Sequence, residues 1–586
     1  MIRLMLNSRV FIGLLCLLLS ACELDNTSDS EDPKTTGIIE EQVNPGEEVT
    51  EEEEVTEEVK EELELQYELD RSCDEASYPS AEWTQCEALN LSNVVSATAE
   101  GLNPIFQAAA MQQSIVAVAK YVERAIKDPS YLPVASPSLD TLLGGLTDPA
   151  NLQEGLMSIF DKIISGPTDI VQLPLNTPIL TECSLQAGPC VGDPFRHPGF
   201  DGPDGKHFYE NEAQVDEVVF YDSQCSRLAG HVWRPRDAEG ELPTVVFEIG
   251  SVGASETLYF WLPQLLVRHG YAVMTFEIRG QGLSDFAAPS GALGTNVNPK
   301  VFWENFVDAI DFFRSSPASP YPNELSCAGT YPTKTHAYNP HHEFIDLDRL
   351  GIAGHSLGGI GVTAVQGYGA EGADPWPGKL DTDNPVSVGV AFDGLIDPDG
   401  VRAGGVIGPL EVILPEVMGE AVRLLALREF PNVAPRVPIM GQSSEYGLLP
   451  VPFLSPPDPE FHKGAYGKWK DANIPVYEFT ILGSTHLEWS QVPPLPGSSF
   501  CPNPENGECE GGHGLMMAEH YAAAWFDRWL KEPGESGYES ADARLLDDGG
   551  EQGAVKMSYR FKSARDFKDR SGTRHHCEDI RAGCPQ

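Results

Sequence analysis

Three observations predict an α/β protein with a mostly parallel central sheet. A continuous apolar stretch at 244–249 (TVVFEI) reads as a strand buried on both faces, and 271–276 (YAVMTF) and 386–392 (VSVGVAF) read as further strands. Helix-patterned segments separate them, which is what parallel crossovers require. A further apolar strand, 350–353, runs straight into Gly354-His355-Ser356-Leu357-Gly358-Gly359, a strand–turn–helix signature in which glycines surround a serine.

The elements follow in order along the chain. Strands are expected at 215–220, 229–234 and 244–249, the last leading into Gly250-Ser251-Val252-Gly253. A helix over 257–268 stops at Gly270. The 271–276 strand opens onto the turn Arg279-Gly280-Gln281-Gly282, and a helix follows near 302–314. After the strand at 350–353 comes a small-residue helix, 360–366. Strands at 386–392, 437–441 and 476–482 and a closing helix at 516–530 complete the pattern. Upstream, 71–205 reads as a helical extension, periodic over 94–125 and 151–164, with Gly/Asp/Pro-rich loops at 191–205. Residues 400–430 form an apolar, helix-patterned insertion, either a cap-like segment over a pocket or a core-packing helix. Residues 536–586 read as a C-terminal tail.

The chain of 586 residues has 88 Asp and Glu against 39 Lys and Arg, a net charge of −49. A surplus of that sign argues against nucleic acid as a partner, because phosphate binding needs Lys and Arg. The charge is uneven. Residues 23–70 hold 20 Asp and Glu and two Lys, and the chain beyond residue 70 carries −33. Dense like charge with few apolar groups predicts a disordered spacer at 23–70. Before it stand Arg3 and Arg9, then an apolar run at 10–19, the layout of a secretory signal. That run ends Leu19-Ser20-Ala21-Cys22, which resembles the lipobox of bacterial lipoproteins. The resemblance implies a lipid anchor on Cys22 and a place on the bacterial cell envelope, facing the periplasm or the cell surface, the outer membrane being the expected one.

Twelve Cys are present. Cys16 lies in the signal and Cys22 would carry lipid, leaving ten. An even number in an exported chain points to disulfides. The local pairs are Cys73–Cys86, Cys183–Cys190, Cys501–Cys509 and Cys577–Cys584, which leaves Cys225 to pair with Cys327 across a long separation. Zinc-type spacing is absent, so no metal or other cofactor is expected. His341-His342-Glu343 and His575-His576 read as loop residues. Asp201-Gly202-Pro203-Asp204-Gly205 and Asp397-Pro398-Asp399-Gly400 lack the ligand spacing of a calcium loop and read as turns.

The serine signature gives the chemistry. A sharp strand-to-helix turn lifts Ser356 above the sheet, and the Leu357 amide at the helix N-terminus is placed to stabilise an oxyanion. A second donor is expected from the loop after an earlier strand, at Ser251 or Val252. His355 is read as structural. His486, on the loop Gly483-Ser484-Thr485-His486 past the 476–482 strand, is the expected base, in preference to His462, His513 and His520. The acid is less defined. Asp393, with Asp397 nearby, follows one strand and Glu445 follows another, and spacing alone divides them nearly evenly.

At this point the chain resembles α/β-hydrolases, and among them the platelet-activating-factor acetylhydrolase-like and dienelactone-hydrolase-like esterases, with cutinase-like enzymes nearby. The matching stretches are TVVFEIGSVGASETLYF, LVRHGYAVMTFEIRGQG, LGIAGHSLGG, VGVAFDGLIDP, VPIMGQSSEYG and GSTHLEW, within roughly 240–530. The resemblance implies an α/β-hydrolase domain over 206–535 and a serine esterase acting on small-molecule or lipid-like esters. In the acetylhydrolase-like pattern the acid closes the strand after the serine helix, which maps to Asp393; the commoner hydrolase pattern maps to Glu445. The chain departs from the family at Glu248-Ile249-Gly250, where His-Gly is common, and carries long insertions at 318–345 and 490–512. The alternative from another class is a non-catalytic surface lipoprotein that uses this fold for binding. Within enzymes, a peptidase is a rival, and a haloalkane-type hydrolase is disfavoured by Ser at the nucleophile position.

Overall fold

The computed structural model describes residues 208–251, 255–294, 298–399, 430–445, 463–481, 484–490, 513–548, 557 and 562–584, with short pieces within 77–88 and 126–130. The signal and Cys22, the spacer, the helices expected at 94–125 and 151–164, the segment 400–429, Val252, His462 and the insertion 491–512 lie outside the described residues. So do the pairs Cys73–Cys86, Cys183–Cys190 and Cys501–Cys509, and the turn 201–205.

The strands are β1 (Ala213–Tyr221), β2 (Arg227–Pro235), β3 (Leu242–Glu248), β4 (Ala272–Phe276), β5 (Ile345–His355), β6 (Val386–Phe392), β7 (Ile439–Ser444), β8 (Val476–Ile481), β9 (Ala564–Lys568) and β10 (Arg574–Cys577). They form one ten-stranded sheet in the order β1-β2-β4-β3-β5-β6-β7-β8-β9-β10. From β4 through β3 to β8 every neighbouring pair is parallel. The β1–β2 hairpin joins β4 antiparallel, and β9 and β10 close the other side antiparallel. This order, with β3 and β4 exchanged and an antiparallel β2, is that of an α/β-hydrolase fold.

Helices cover both faces, so the inner strands lack a wet side. One core gathers Val246, Met274 and Ile352 with α2 (Val301–Arg314), α4 (Leu357–Gly367) and α5 (Tyr466–Asp471). The opposite core gathers Val245, Phe247, Val273 and Phe392 with α1 (Trp261–Arg268) and α6 (His513–Leu530). Successive side chains of one strand therefore enter different cores, and a polar residue at either position would be buried without water. That explains the unbroken apolar runs. The other helices are α3 (Pro322–Cys327) and α7 (Ala541–Leu545). The helix expected at 257–268 is two pieces, a 3-10 turn at Glu256–Tyr259 and then α1. Ser255 caps the first piece, and Gly270 at φ 77° ends the second, with its N–H donating to the Val267 carbonyl.

Three boundaries differ from expectation. Strand β5 begins at Ile345, since its first half pairs through Ile345 with Leu242. Strand β7 runs to Ser444, past its expected end at Gly441, because Gln442, Ser443 and Ser444 stay in register with β8. The segment 536–586 is more than a tail: β9 and β10 extend the sheet, and His575 and His576 sit on β10 rather than in a loop.

Both expected disulfides among the described residues are formed, Cys225–Cys327 and Cys577–Cys584. The first ties the β1–β2 turn to α3 in the 318–345 insertion. That insertion lies along β1: the His336 amide donates to the Val219 carbonyl (2.8 Å), the Val219 amide donates to His336 Nδ1 (3.1 Å), and His341 pairs with Asp216 (2.6 Å). Arg227 links three parts of the chain. It forks onto Asp285 (2.8 and 2.9 Å), binds Asp128 of the N-terminal extension (2.8 Å) and stacks on Tyr331 of the insertion (3.7 Å). Among the described residues, no helix is long and apolar enough to cross a membrane.

The Cys225–Cys327 bridge closes a separation of 102 residues. Replacing both with Ser should lower unfolding stability by about 2–4 kcal/mol, read as a lower urea midpoint.

Candidate active site

Strand β5 delivers Ser356 on a turn with φ 58° and ψ −122°, a conformation that a non-glycine residue adopts only under constraint. The constraint comes from both sides. The Ser356 amide donates to the Phe392 carbonyl (2.9 Å), and its own carbonyl accepts the first helical bond of α4, from Ile360 (3.2 Å). Gly358, in the first turn of α4, lies against the Glu248 and Ile249 carbonyls; a Cβ there would come within 2.5–2.6 Å of both. The glycine lets α4 approach β3 closely enough to complete the elbow.

Asp393 follows β6 directly. Its backbone is also left-handed, at φ 47°, and its amide donates to the Gln442 carbonyl (2.6 Å). Three donors converge on its buried carboxylate. The Ser444 amide reaches Oδ1 at 2.9 Å, the Ser444 hydroxyl reaches Oδ2 at 2.6 Å, and His486 Nδ1 reaches Oδ2 at 2.5 Å. Burial alone would raise this carboxyl, but the hydrogen bond and charge of His486 and the two Ser444 bonds outweigh it and hold the group down at about 2. An ionised partner on Nδ1 fixes the His486 tautomer and leaves Nε2 to work as a base.

The His486 loop is anchored by aromatic side chains. Trp489 Nε1 donates to Gln442 Oε1 (3.0 Å), and Trp261 Nε1 donates to the Trp489 carbonyl (2.8 Å). Gln442 in turn donates to the Ala518 carbonyl of α6 (3.2 Å). The sequence reading missed Ser444, Gln442 and Trp489. The signal for Ser444 was its register: Phe392 pairs with Gln442, which brings the end of β7 beside the residue after β6.

The other expected residues are placed as follows. Leu357 opens α4 and is buried. Ser251 is half-buried on the loop after β3. That loop presses on the serine: a Cβ on Gly250 would come 2.8 Å from the Tyr259 hydroxyl and 3.3 Å from the Ser356 Cβ. The Gly250 amide is taken up by the Tyr259 oxygen (3.1 Å), and the Gly250 carbonyl accepts from Gln281 Nε2 (2.8 Å). A trans peptide sets N–H opposite C=O, so the Gln281 bond fixes the direction of the Ser251 N–H. Glu445 is buried at the end of β7, its amide donating to the Ser484 carbonyl (3.2 Å). Asp397 accepts from the Asp399 amide (2.9 Å) and faces Lys468 (3.8 Å). His520 bonds the Arg544 carbonyl (3.2 Å). The contact made by the imidazole of His486 is thus with Asp393. Among the described residues, no cluster of three or more His, Cys, Asp and Glu is placed to hold a metal.

A positive charge developing on the His486 imidazole would meet the buried Asp393 carboxylate. No family model matches the chain. Over 145 residues, 23% of this chain, it is 29% identical to the hydrolase acrC of Aspergillus aculeatus, and it spans about a quarter (27%) of that protein's length. Among solved structures, the acylaminoacyl peptidase of Pyrococcus horikoshii aligns with a TM-score of 0.31 and 16% identity, over 57% of this chain and 46% of that one.

The Asp393 carboxyl lies lower in the folded chain than in an unfolded one. Its contribution is therefore complete above about pH 4 and lost as pH falls toward 2, amounting to about 2 kcal/mol at neutral pH. The stability gap between the parent chain and Asp393→Asn, measured by urea unfolding, should be largest at pH 6 and narrow steadily below pH 4.

Proposed function

We propose that the protein is a serine hydrolase of carboxylic esters, with Ser356 as nucleophile, His486 as general base and Asp393 as the acid that orients it. The observation that carries this reading is the 2.5 Å contact of His486 Nδ1 with a buried Asp393 carboxylate, on loops beside a strained elbow serine. The stretches that resemble acetylhydrolase-like esterases support the ester, and the partial likeness to a fungal hydrolase supports hydrolysis.

In this reading Ser356 Oγ attacks the ester carbonyl carbon while His486 Nε2 takes the hydroxyl proton. The carbonyl oxygen becomes an oxyanion, held by the Leu357 amide and by an amide of the Gly250–Val252 loop. Since the Gly250 N–H is engaged by Tyr259, the loop's donor is Ser251 or Val252. The tetrahedral species collapses, the alcohol leaves with the proton from His486, and an acyl ester stays on Ser356. Water, deprotonated by His486, then frees the acid and restores the serine. These steps call for no metal or other cofactor. The substrate class is a small or lipid-like ester. Our reading includes export and a lipid anchor on Cys22, supported by the apolar run at 10–19 and Leu19-Ser20-Ala21-Cys22.

A fluorophosphonate probe tests the assignment. It should label the full chain stoichiometrically, and Ser356→Ala should abolish both labelling and p-nitrophenyl ester turnover while leaving the unfolding midpoint unchanged. Asp393→Asn should lower kcat by on the order of 10⁴ through the wrong His486 tautomer. An unlabelled, inactive parent chain would favour a binding protein instead.

A further inference from the structure

The residue before the nucleophile is not idle packing. His355 is buried between the rings of Tyr259 and His486, with centroids 5.5 and 4.6 Å away. Its Nε2 lies 2.9 Å from the His486 carbonyl, and its Nδ1 lies 3.0 Å from the Tyr259 hydroxyl. A carbonyl can only accept, so Nε2 carries the hydrogen. Nδ1 is then the acceptor, and the Tyr259 O–H is its donor. The Tyr259 oxygen is free to accept, and it does so from the Gly250 amide at 3.1 Å. Each direction in the chain follows from the one before it. The path runs from the Gly250 N–H to Tyr259, to His355, to the His486 main chain. Burial, reinforced by the neighbouring His486, holds His355 down at about 3, so both ends stay engaged over the range in which a histidine base works.

We propose that Tyr259 and His355 are positioning residues, a hydrogen-bonded strut that sets the oxyanion loop and the base at a fixed separation across Ser356. The proposal rests on the reading of Ser356 and His486 as nucleophile and base. The two ends of the strut are the two groups whose spacing the reaction depends on. Gly250 abuts Ser356, so movement of its peptide shifts the neighbouring Ser251 N–H. The His486 carbonyl is covalently continuous with the imidazole that takes the proton. Gln281 holds the next peptide of the loop from the other side, which leaves the strut to define its height above the serine. Neither Tyr259 nor His355 touches the reacting atoms, so removing either should weaken turnover without weakening substrate binding.

The test uses the full chain with p-nitrophenyl acetate, and counts competent sites by fluorophosphonate titration so that misfolded molecules drop out. Tyr259→Phe deletes one oxygen and His355→Leu deletes both ring nitrogens. Each should lower kcat per titrated site about tenfold with KM nearly unchanged, the loss expected of one hydrogen bond's worth of positioning. The double variant should be no slower than the worse single one, because the two residues act as one unit. His355→Gln, which keeps a donor toward the His486 carbonyl, should recover part of the loss. Unchanged kcat per titrated site, or losses that multiply in the double variant, would overturn the strut. A parent chain that takes up no probe would instead remove the hydrolase reading, and the strut with it.

Discussion

A carboxylate cut off from water needs donors, and Asp393 obtains three of them from two other stretches of chain. Strand β6 ends so that the residue after Phe392 leaves the sheet in a left-handed turn. Strand β7, one place over, runs two residues further and offers an amide and a hydroxyl. The loop after β8 supplies the imidazole. None of these can shift alone without leaving a buried negative charge partly unpaired. The parallel register of β6, β7 and β8 is thus what holds the charge, and the charge in turn holds the loop. The elbow serine shares this frame, because its amide bonds the carbonyl of the residue just before Asp393.

The parts of the fold that the sequence revealed are those buried on both faces. Strands β3, β4 and β6 consist almost wholly of apolar residues for that reason. Strands β9 and β10 escaped notice because they are built otherwise. Their sequences, ARDFK and RHHC, carry charges that pair with each other across the ladder, Arg574 with Asp566 at 2.6 Å among them. Pattern reading cannot distinguish such a hairpin from a polar tail. The polar end of β7 was hidden likewise: Gln442 and Ser444 look like turn residues until their partners Trp489, Ala518 and Asp393 are known.

The candidate site divides in the same way. Ser356 was legible because its local geometry demands a recognisable run of glycines, and His486 because it follows the last parallel strand. The acid was not, since Asp393 and Glu445 both stand just past a strand end. In three dimensions the imidazole of His486 lies on Asp393. His355 was read as structural, which is true of its burial but omits its two bonds. One of those depends on Tyr259, 96 residues upstream, whose hydroxyl has no sequence signature.

The two ends of the sheet are finished in different ways with the same result. On one side the 318–345 insertion, fastened by Cys225–Cys327, supplies His336 to the outer backbone of β1. On the other, the outermost strand is four residues long, studded with ion-paired side chains and drawn back by Cys577–Cys584. A bare strand edge recruits copies of itself. Finishing both ends within one chain keeps this sheet from growing from one molecule into the next.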